Sequence, residues 1–427
     1  MIDSARLFRR RLLPPVATVL LSLCAGALPA QSGVLVTGTP FTLEEFMIEA
    51  REACDGLRGR ERRRCVREAE AEARASAERL AAVAPVALAY RKRLVEGLAA
   101  EGDARSLALA AVLGSDGPLE SPVETPGASD DIDALWQQDP RVVQWRDAAL
   151  AASAAEDKDD PLVLVLAYVV SGDDVELQRA LIARWRAAEP DNLQPILVDA
   201  ELRRADTRGP SYESTPLPEP LFADAVRATR YREYFADLHR LAIHALRRHP
   251  PTEAELQAFR AHEPAFSADA AGLGLGLGFW VAGPSTAYAP LFRSCDESLY
   301  ATRPGRREDC RRLGRLMSER GETLIGHLVG VALLRKTASD EAQREEARAL
   351  REPYEWRSAQ MQKTEIDLAA WSAGQVALLL RESDVTEAQM VEAGLQAMGL
   401  PTEPPAGWHS GYRFMDEREA EGAPRAQ

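Results

Sequence analysis

Four cysteines, Cys54, Cys65, Cys295 and Cys310, are the residues whose types and spacing say most about chemistry in this chain. Separations of eleven and fifteen residues match no Cys-x-x-Cys redox or zinc pattern, so the chemistry they point to is disulfide formation. Three connectivities exist for four cysteines, and nearness along the chain favours Cys54 with Cys65 and Cys295 with Cys310. On one continuous helix the first pair would stand about 16 Å apart. A disulfide needs Cα atoms roughly 4.4–6.8 Å apart. The helix must therefore break between partners, and Gly56 and Gly59 in one interval, with Pro304 and Gly305 in the other, supply the break. Each pair thus predicts a helical hairpin, and each short closed loop adds about 3 kcal/mol in the chain-entropy picture.

Other chemistry-bearing patterns fail on spacing or context. Gly272, Gly274, Gly276 and Gly278 alternate with leucines. They lack the G-x-G-x-x-G order, a Gly-Lys-Ser/Thr ending and a preceding strand, so close helix packing explains them better than a phosphate loop. Gly326 and Gly330 read the same way. His239, His244 and His249 recur every five residues, about 140° apart around a helix, whereas ligands on one face stand three or four apart. They are expected to face solvent. His327, alone in the apolar stretch Leu324 to Leu334, reads as a hydrogen-bonded core histidine. His262-Glu263-Pro264 does not complete a His-Glu-x-x-His site, and Gly283-Pro284-Ser285-Thr286-Ala287 breaks the G-x-S-x-G elbow at its last position.

The acidic runs Asp130-Asp131-Ile132-Asp133 and Asp157-Lys158-Asp159-Asp160 do not form EF-hand loops. Counting from Asp157, the sixth position is Leu162 and the twelfth is Tyr168, where Gly and Glu belong. They read as solvated turns and helix N-termini. Paired carboxylates for glycoside cleavage carry no information here, because 66 acidic residues always offer some pair. No catalytic residue, metal ligand or cofactor-binding motif is assigned, and no cofactor is expected.

The elements that would position these residues are helical. Hydrophobic residues make up 46% of the 427 but aromatics only 6%, and the apolar bulk is Ala and Leu, which favour helices. Thr42 with Glu45 forms a capping box ahead of the stripe Leu43, Phe46, Met47 and Ala50. A charged helix follows from Arg60 to about Ala82, Pro85 opens the next, and Ala104 to Leu113 is a short apolar helix. Tyr231, Tyr234, Phe235 and Leu238 mark one face of a further helix. Proline and glycine cluster in 114–131, which reads as a linker. The expected organisation is a helical region over 41–113, the linker 114–131, a repeat-like helical domain over 132–400 and a flexible tail over 401–427.

The first thirty residues read as a secretory signal: Arg6, Arg9, Arg10 and Arg11 precede the apolar run Val16 to Ala27, and Ala30 offers a cleavage point before Gln31. Bulky Leu21 and Leu23 ahead of Cys24 argue against a lipoprotein signal. Removing 1–30 takes away more Arg than Asp, so the remainder is more acidic than the −14 of the full chain. Such a surface repels phosphate backbones and disfavours nucleic-acid binding. No later stretch reaches membrane-spanning length.

Asp160 to Arg204 combines an apolar helix (Leu162 to Val170), a Ser171-Gly172-Asp173 turn, a second helix with Ala180 and Trp185, and Pro190-Asp191-Asn192 before a third. This segment resembles a tetratricopeptide-like helical hairpin. Gln178 and Trp185 stand where that family carries small residues, and about one repeat is covered. The resemblance implies an all-α fold, an irregular helical bundle or a short α-solenoid of helical hairpins, and a binding surface for a peptide or protein. The expected function is therefore an exported, periplasmic helical scaffold for a peptide or protein partner, ahead of a secreted or lipid-anchored form. The alternative is a periplasmic hydrolase of cell-wall material whose residues converge only in three dimensions. The cysteine reading has a direct test. Intact mass after alkylation of the exported protein is expected to show no modified thiol without reduction and four after it; labelling without reduction would refute the pairing.

Overall fold

The computed structural model describes residues 54, 57–115, 140–155, 159–205, 215–262, 264–284, 286–363 and 366–409. Among these the chain is all-α, with sixteen α-helices, one 3-10 turn and no strand; Asn192 and Arg230 form an isolated parallel bridge. Neighbours along the chain pack in pairs, as a bundle or solenoid of hairpins requires. No helix among the described residues is long and apolar enough to cross a membrane. The thirty residues read as a signal lie outside the described residues, as do Thr42 to Ala50.

The residues group into two compact units, one of Met1–Pro190, Glu201–Asp206 and Tyr234–Thr286, the other of Asp191–Ala200, Thr207–Glu233 and Ala287–Gln427. The divisions fall after Pro190, Ala200, Asp206, Glu233 and Thr286, and of the proline- and glycine-rich stretch 116–131 lies outside the described residues. Gly114 is still helical.

The first unit holds α1 (Gly59–Glu101), α2 (Ala104–Ser115), α3 (Pro140–Ala155), α4 (Pro161–Val169), α5 (Val175–Ala188), α8 (Phe235–Arg248), α9 (Glu253–His262) and α10 (Ala268–Val281). One expectation changes in α1. Pro85 does not open a helix; it sits inside one of 43 residues. A proline there removes one backbone hydrogen bond, but Val83, Ala87, Tyr90, Leu94 and Leu98 form a continuous buried stripe across it, and that burial holds the helix together. Cys54 lies in a turn before α1 and Cys65 on it, with Cα atoms 6.0 Å apart and the sulfurs at bonding distance; Gly59 starts the helix at φ 59°. The other arm of this expected hairpin is outside the described residues.

The segment that resembles a helical hairpin forms α4, a turn with Gly172 at φ 54°, and α5. Asp160 and Asp174 cap the two helices by accepting from the Leu162 and Leu177 amides. Trp185 is buried and fills the core.

Helix α8 begins at Phe235, later than the aromatic pattern predicts. Tyr234 precedes it in the left-handed region at φ 60°, an unfavourable conformation for a residue with a side chain. The ring of Tyr234 lies 5.9 Å from that of Trp185, and its hydroxyl donates to Glu189, which also accepts from the Trp185 indole at 3.2 Å. These contacts hold the strained turn.

Across from α8 lies α10, which carries the alternating glycines. A Cβ at Gly276 would stand 2.5 Å from the Cα of His239, and one at Gly272 would stand 2.8 Å from the Cα of Ile243. The close packing expected of this stripe thus runs through the Gly272/Gly276 pair.

The second unit holds the first part of α6 (Leu193–Ala205), then α7 (Glu219–Arg227), α11 (Tyr288–Ser294), α12 (Arg306–Arg320), α13 (Leu324–Lys336), α14 (Glu341–Lys363), α15 (Leu368–Arg381) and α16 (Glu387–Ala397). Its core gathers Leu193, Leu197, Leu221, Phe222, Leu291, Leu313 and Met317 around Cys295 and Cys310. Those two cysteines are bonded, with Cα atoms 5.8 Å apart, and close a hairpin of α11 and α12 whose turn reaches Gly305 at φ 88°. Gly330 of α13 abuts the backbone of Gly314 and Ser318 on α12.

Replacing Gly276 by Ala isolates the α8–α10 contact. Helix propensity alone would favour Ala by about 1 kcal/mol. The clash with the His239 backbone is expected to outweigh it and leave a net loss of about 1–3 kcal/mol in urea unfolding; an unchanged or raised midpoint would mean that the helices have room to spare.

Candidate functional site

Among the described residues, two of the places where polar side chains converge bear on function, one in each unit. In the first unit a cleft of about 310 Å³ is lined by Asp103, Arg105, Ser106, Leu162, Asp237, Arg240, Leu241, His244 and Arg248. Residues 237, 240, 241, 244 and 248 share one face of α8, because they recur at three- and four-residue steps. Leu238, Ala242, Ile243 and Leu246 are buried on the other side. The amphipathic pattern of α8 therefore aims its charges into the cleft.

The facing wall is built from helix caps. Gly102 ends α1 at φ 76°, and Asp103 caps α2 by accepting from the amides of Arg105 and Ser106 at 3.1 and 3.0 Å. Arg105 reaches Asp160, the cap of α4, at 2.6 Å. Behind the wall Glu101 accepts from the Ser106 hydroxyl at 2.5 Å and from both forks of Arg248 at 2.8 and 2.9 Å, and it faces Nε2 of His249 at 2.8 Å. Burial raises the Glu101 carboxyl, and these donors outweigh it and hold it below the usual carboxylate range. Asp103 is lowered in the same way against its own burial, through Ser106 and the Arg105 amide.

The cleft thus presents three arginines, two aspartates and an exposed histidine around Leu162 and Leu241. It does not present an activated nucleophile. In a hydrolytic triad the serine donates to an imidazole that a carboxylate orients. Here Ser106 donates to the carboxylate itself, and Nδ1 of His249 is packed over Gly97, only 2.6 Å from where a Cβ would stand.

The second cluster surrounds Glu233. The side chain of Asn192 pairs with the backbone of residue 232, donating to its carbonyl at 3.1 Å and accepting from its amide at 3.0 Å, while the Leu193 amide donates to Arg230 at 2.9 Å. Zipped in this way, the segment turns Tyr231 and Glu233 inward toward the start of α13. Thr323, which caps that helix, donates to Glu233 Oε2 at 2.6 Å; Tyr288 donates to Oε1 at 3.3 Å and lies 2.6 Å from the Tyr231 hydroxyl. Gly326 makes this possible, since a Cβ there would stand 2.6 Å from the Tyr231 ring and 2.8 Å from Glu233 Oε2. Its role is room for side chains, not the close helix packing expected of it.

Glu233 is pushed up to about 7 by burial, against the opposing donors Thr323, Tyr231 and Tyr288 and with help from Glu387. Glu387 is itself raised by burial although it accepts from the Leu324 amide at 2.7 Å. Tyr231, fully enclosed, is held well above its ordinary value. With 6% of Glu233 exposed, this cluster is closed to solvent.

No protein-family model matches the chain, and no curated protein or solved structure shows significant similarity to it. Its chemistry must be read from its own geometry.

Of the residues singled out by sequence, the three histidines part company because five-residue steps rotate them onto different faces. His239 is buried against α10, which corrects the expectation that it faces solvent; His244 lines the cleft; His249 binds Glu101. His327 is the core histidine expected: buried, its Nδ1 is 2.7 Å from the Ser318 carbonyl and Nε2 3.1 Å from that of Leu350, and its ring stacks on Tyr354 at 3.9 Å. Burial lowers it, against those two carbonyls.

Asp159 and Asp160 serve a turn and a helix N-terminus as expected, Asp159 in a bidentate pair with Arg184 at 2.6 and 2.9 Å. Ser285 and residues 130–133 lie outside the described residues. None of Cys54, Cys65, Cys295 and Cys310 lines the cleft. Among the described residues no group of three His, Cys, Asp or Glu side chains is arranged to hold a metal ion.

Sequence reasoning missed Glu233, Glu101, Asp103, Arg105, Asp237, Arg240 and Arg248. The one legible signal was the three- and four-residue recurrence of polar groups along α8.

Two buried groups set opposite pH limits. Glu233 binds its proton more tightly folded than at the ordinary 4.5, so its contribution is full below 4.5 and lost as pH rises through about 7. His239 is lowered from 6.5 to about 4 by burial, against its bond to the Phe235 carbonyl, so its contribution is full above 6.5 and lost as pH falls toward 4. Each effect amounts to about 3 kcal/mol at full extent. The two windows overlap with opposite sign and nearly cancel, so urea midpoints from pH 4 to 9 are expected to vary little in the unsubstituted chain, whereas Glu233→Gln is expected to leave them rising from pH 4 to 6.5 through His239; an unchanged profile would remove Glu233 as a contributor.

Proposed function

We propose that this chain is an exported helical scaffold that binds a peptide or protein segment, and that the cleft between α8 and the caps of α2 and α4 is its seat. The cleft itself carries the reading. Alternating Asp and Arg side chains around two leucines suit a segment that offers an apolar side chain to Leu162 and Leu241 and a carboxylate to Arg105, Arg240 and His244. A volume of about 310 Å³ accommodates one or two residues of such a segment rather than a large cofactor.

Export is supported by the basic and apolar N-terminal pattern, by two cysteine pairs at bonding distance, and by the absence of a membrane-length helix among the described residues. The tetratricopeptide-like layout of α4 and α5 supports a scaffold role by analogy of fold.

Panning a random-peptide display library against the full chain tests the reading. Enriched peptides are expected to bind with affinities that fall about tenfold or more, roughly 1.4 kcal/mol, on Arg240→Ala and on His244→Ala. Affinities indifferent to both substitutions would overturn the cleft as the seat, and turnover of cell-wall fragments by the purified chain would favour the hydrolase alternative.

A further inference from the structure

The stretch that follows α16 leaves that helix through Gly399 at φ 70° and then runs along α14 toward the N-terminus of α14. It is the beginning of the expected flexible tail; the remainder, 410–427, lies outside the described residues. The Trp356 indole donates to the Pro401 carbonyl at 3.3 Å. Arg357 donates Nε to the Thr402 carbonyl at 3.2 Å and pairs with Glu403 at 3.2 Å. The indoles of Trp356 and Trp408 meet edge to face at 5.3 Å, and His409 lies 3.3 Å from Glu352. A turn closed by the Trp408 amide on the Pro405 carbonyl, with Gly407 at φ 79°, returns Trp408 to the helix.

Three features give this contact the character of a bound ligand. First, Pro401, Pro404 and Pro405 fix their own backbones and hold the residues before them extended, so little freedom remains to be lost on docking. Second, the donors on α14 address main-chain carbonyls, and prolines have no amide to satisfy in return. An aromatic surface with an indole N–H and an arginine is the chemistry that recognises proline-rich segments. Third, the segment adds nothing to the buried core: Pro401, Glu403, Pro405, Ala406, Gly407 and His409 are exposed, and Thr402, Pro404 and Trp408 only half-buried. Arg357, by contrast, has an anchor outside the strap, because its guanidinium also pairs with Glu392 of α16 at 3.4 Å. The receptor face is built by α14 and α16, and the strap lies on it.

We propose that the α14 face formed by Glu352, Trp356 and Arg357 is a docking site for proline-rich segments, that Pro401–His409 fills it in cis, and that a partner protein displaces this strap by presenting an extended proline-rich segment of its own. The strap's contacts include two carbonyl bonds, the exposed Arg357–Glu403 pair, the His409–Glu352 contact and the Trp356–Trp408 ring contact, each weak alone. Its advantage over a partner is mainly the high effective concentration of a tethered ligand. This site is in the second unit and does not depend on the cleft of α8.

A synthetic peptide of residues 400–409 tests the exchange on the full chain. Trp408→Ala loosens the strap in cis but leaves the receptor face whole, so the peptide is expected to bind this variant at least tenfold more tightly than the unsubstituted chain. Adding Trp356→Ala is expected to abolish that binding, and a peptide with its three prolines replaced by alanine is expected not to bind. Equal affinity for the two chains, or binding that survives Trp356→Ala, would overturn the proposal. Hydrogen exchange on the unsubstituted chain gives a second reading that needs no variant. Millimolar peptide is expected to speed exchange of the Trp408 amide while α14 keeps its protection, and no change at Trp408 counts against displacement. A concentration-dependent dimer that the peptide dissolves would show the same face taking the strap of a second copy and would support the exchange.

Discussion

The contact between α8 and α10 is the constraint on which the first unit depends. Two backbones approach closely only where side chains are missing, and Gly272 and Gly276 provide that absence at one crossing. Because α8 is pinned along that line, its opposite face is fixed in rotation, and every charge on it points where the crossing dictates. A rotation of 100°, one residue along the helix, would carry Arg240 to the buried position of His239 and expose Leu238 in the place of Asp237. The cleft is thus the outward consequence of a packing decision made on the inner side of the same helix.

Helix N-termini organise the polar chemistry in both units. Asp103 and Asp160 cap α2 and α4 while forming or bracing the cleft wall, and Thr323 caps α13 while donating to Glu233. The first turn of a helix leaves amides without partners, and a side chain that satisfies them is held in one place. Carboxylates gather there because the positive end of the helix and its free donors favour them. This places Glu387 on the Leu324 amide as well. The two clusters differ in access: one opens to solvent and stays ionised, and the other is closed and holds a proton close to neutral pH.

The cysteine pairs mark a different kind of determinant. Cys295 and Cys310 belong to the hydrophobic core of their unit, so the bridge and the apolar packing reinforce one another. Cys54 and Cys65 tie a turn to the start of a 43-residue helix, where packing is sparser. Their partners were legible because closing a loop is a local problem in chain length and breakers. Pro85 was misread for the complementary reason: a local rule predicted a boundary, and a long buried stripe overrode it.

Local rules, read along the chain alone, determined the helical class, the hairpin of the second cysteine pair, the caps at Asp160 and the core placement of His327. Each depends on residues within about fifteen positions of one another, where spacing maps directly onto geometry. The cleft, the buried Glu233 and the seat of Pro401–His409 were decided only by tertiary structure. Glu233 meets Thr323 across ninety residues, Arg248 meets Glu101 across 147, and Trp356 meets Pro401 across 45. Among 66 carboxylates nothing in the order of residues distinguishes the one that will be enclosed. That distinction arises when glycines such as Gly326 leave space at a crossing, because burial and charge proximity belong to the packed chain and not to its pattern.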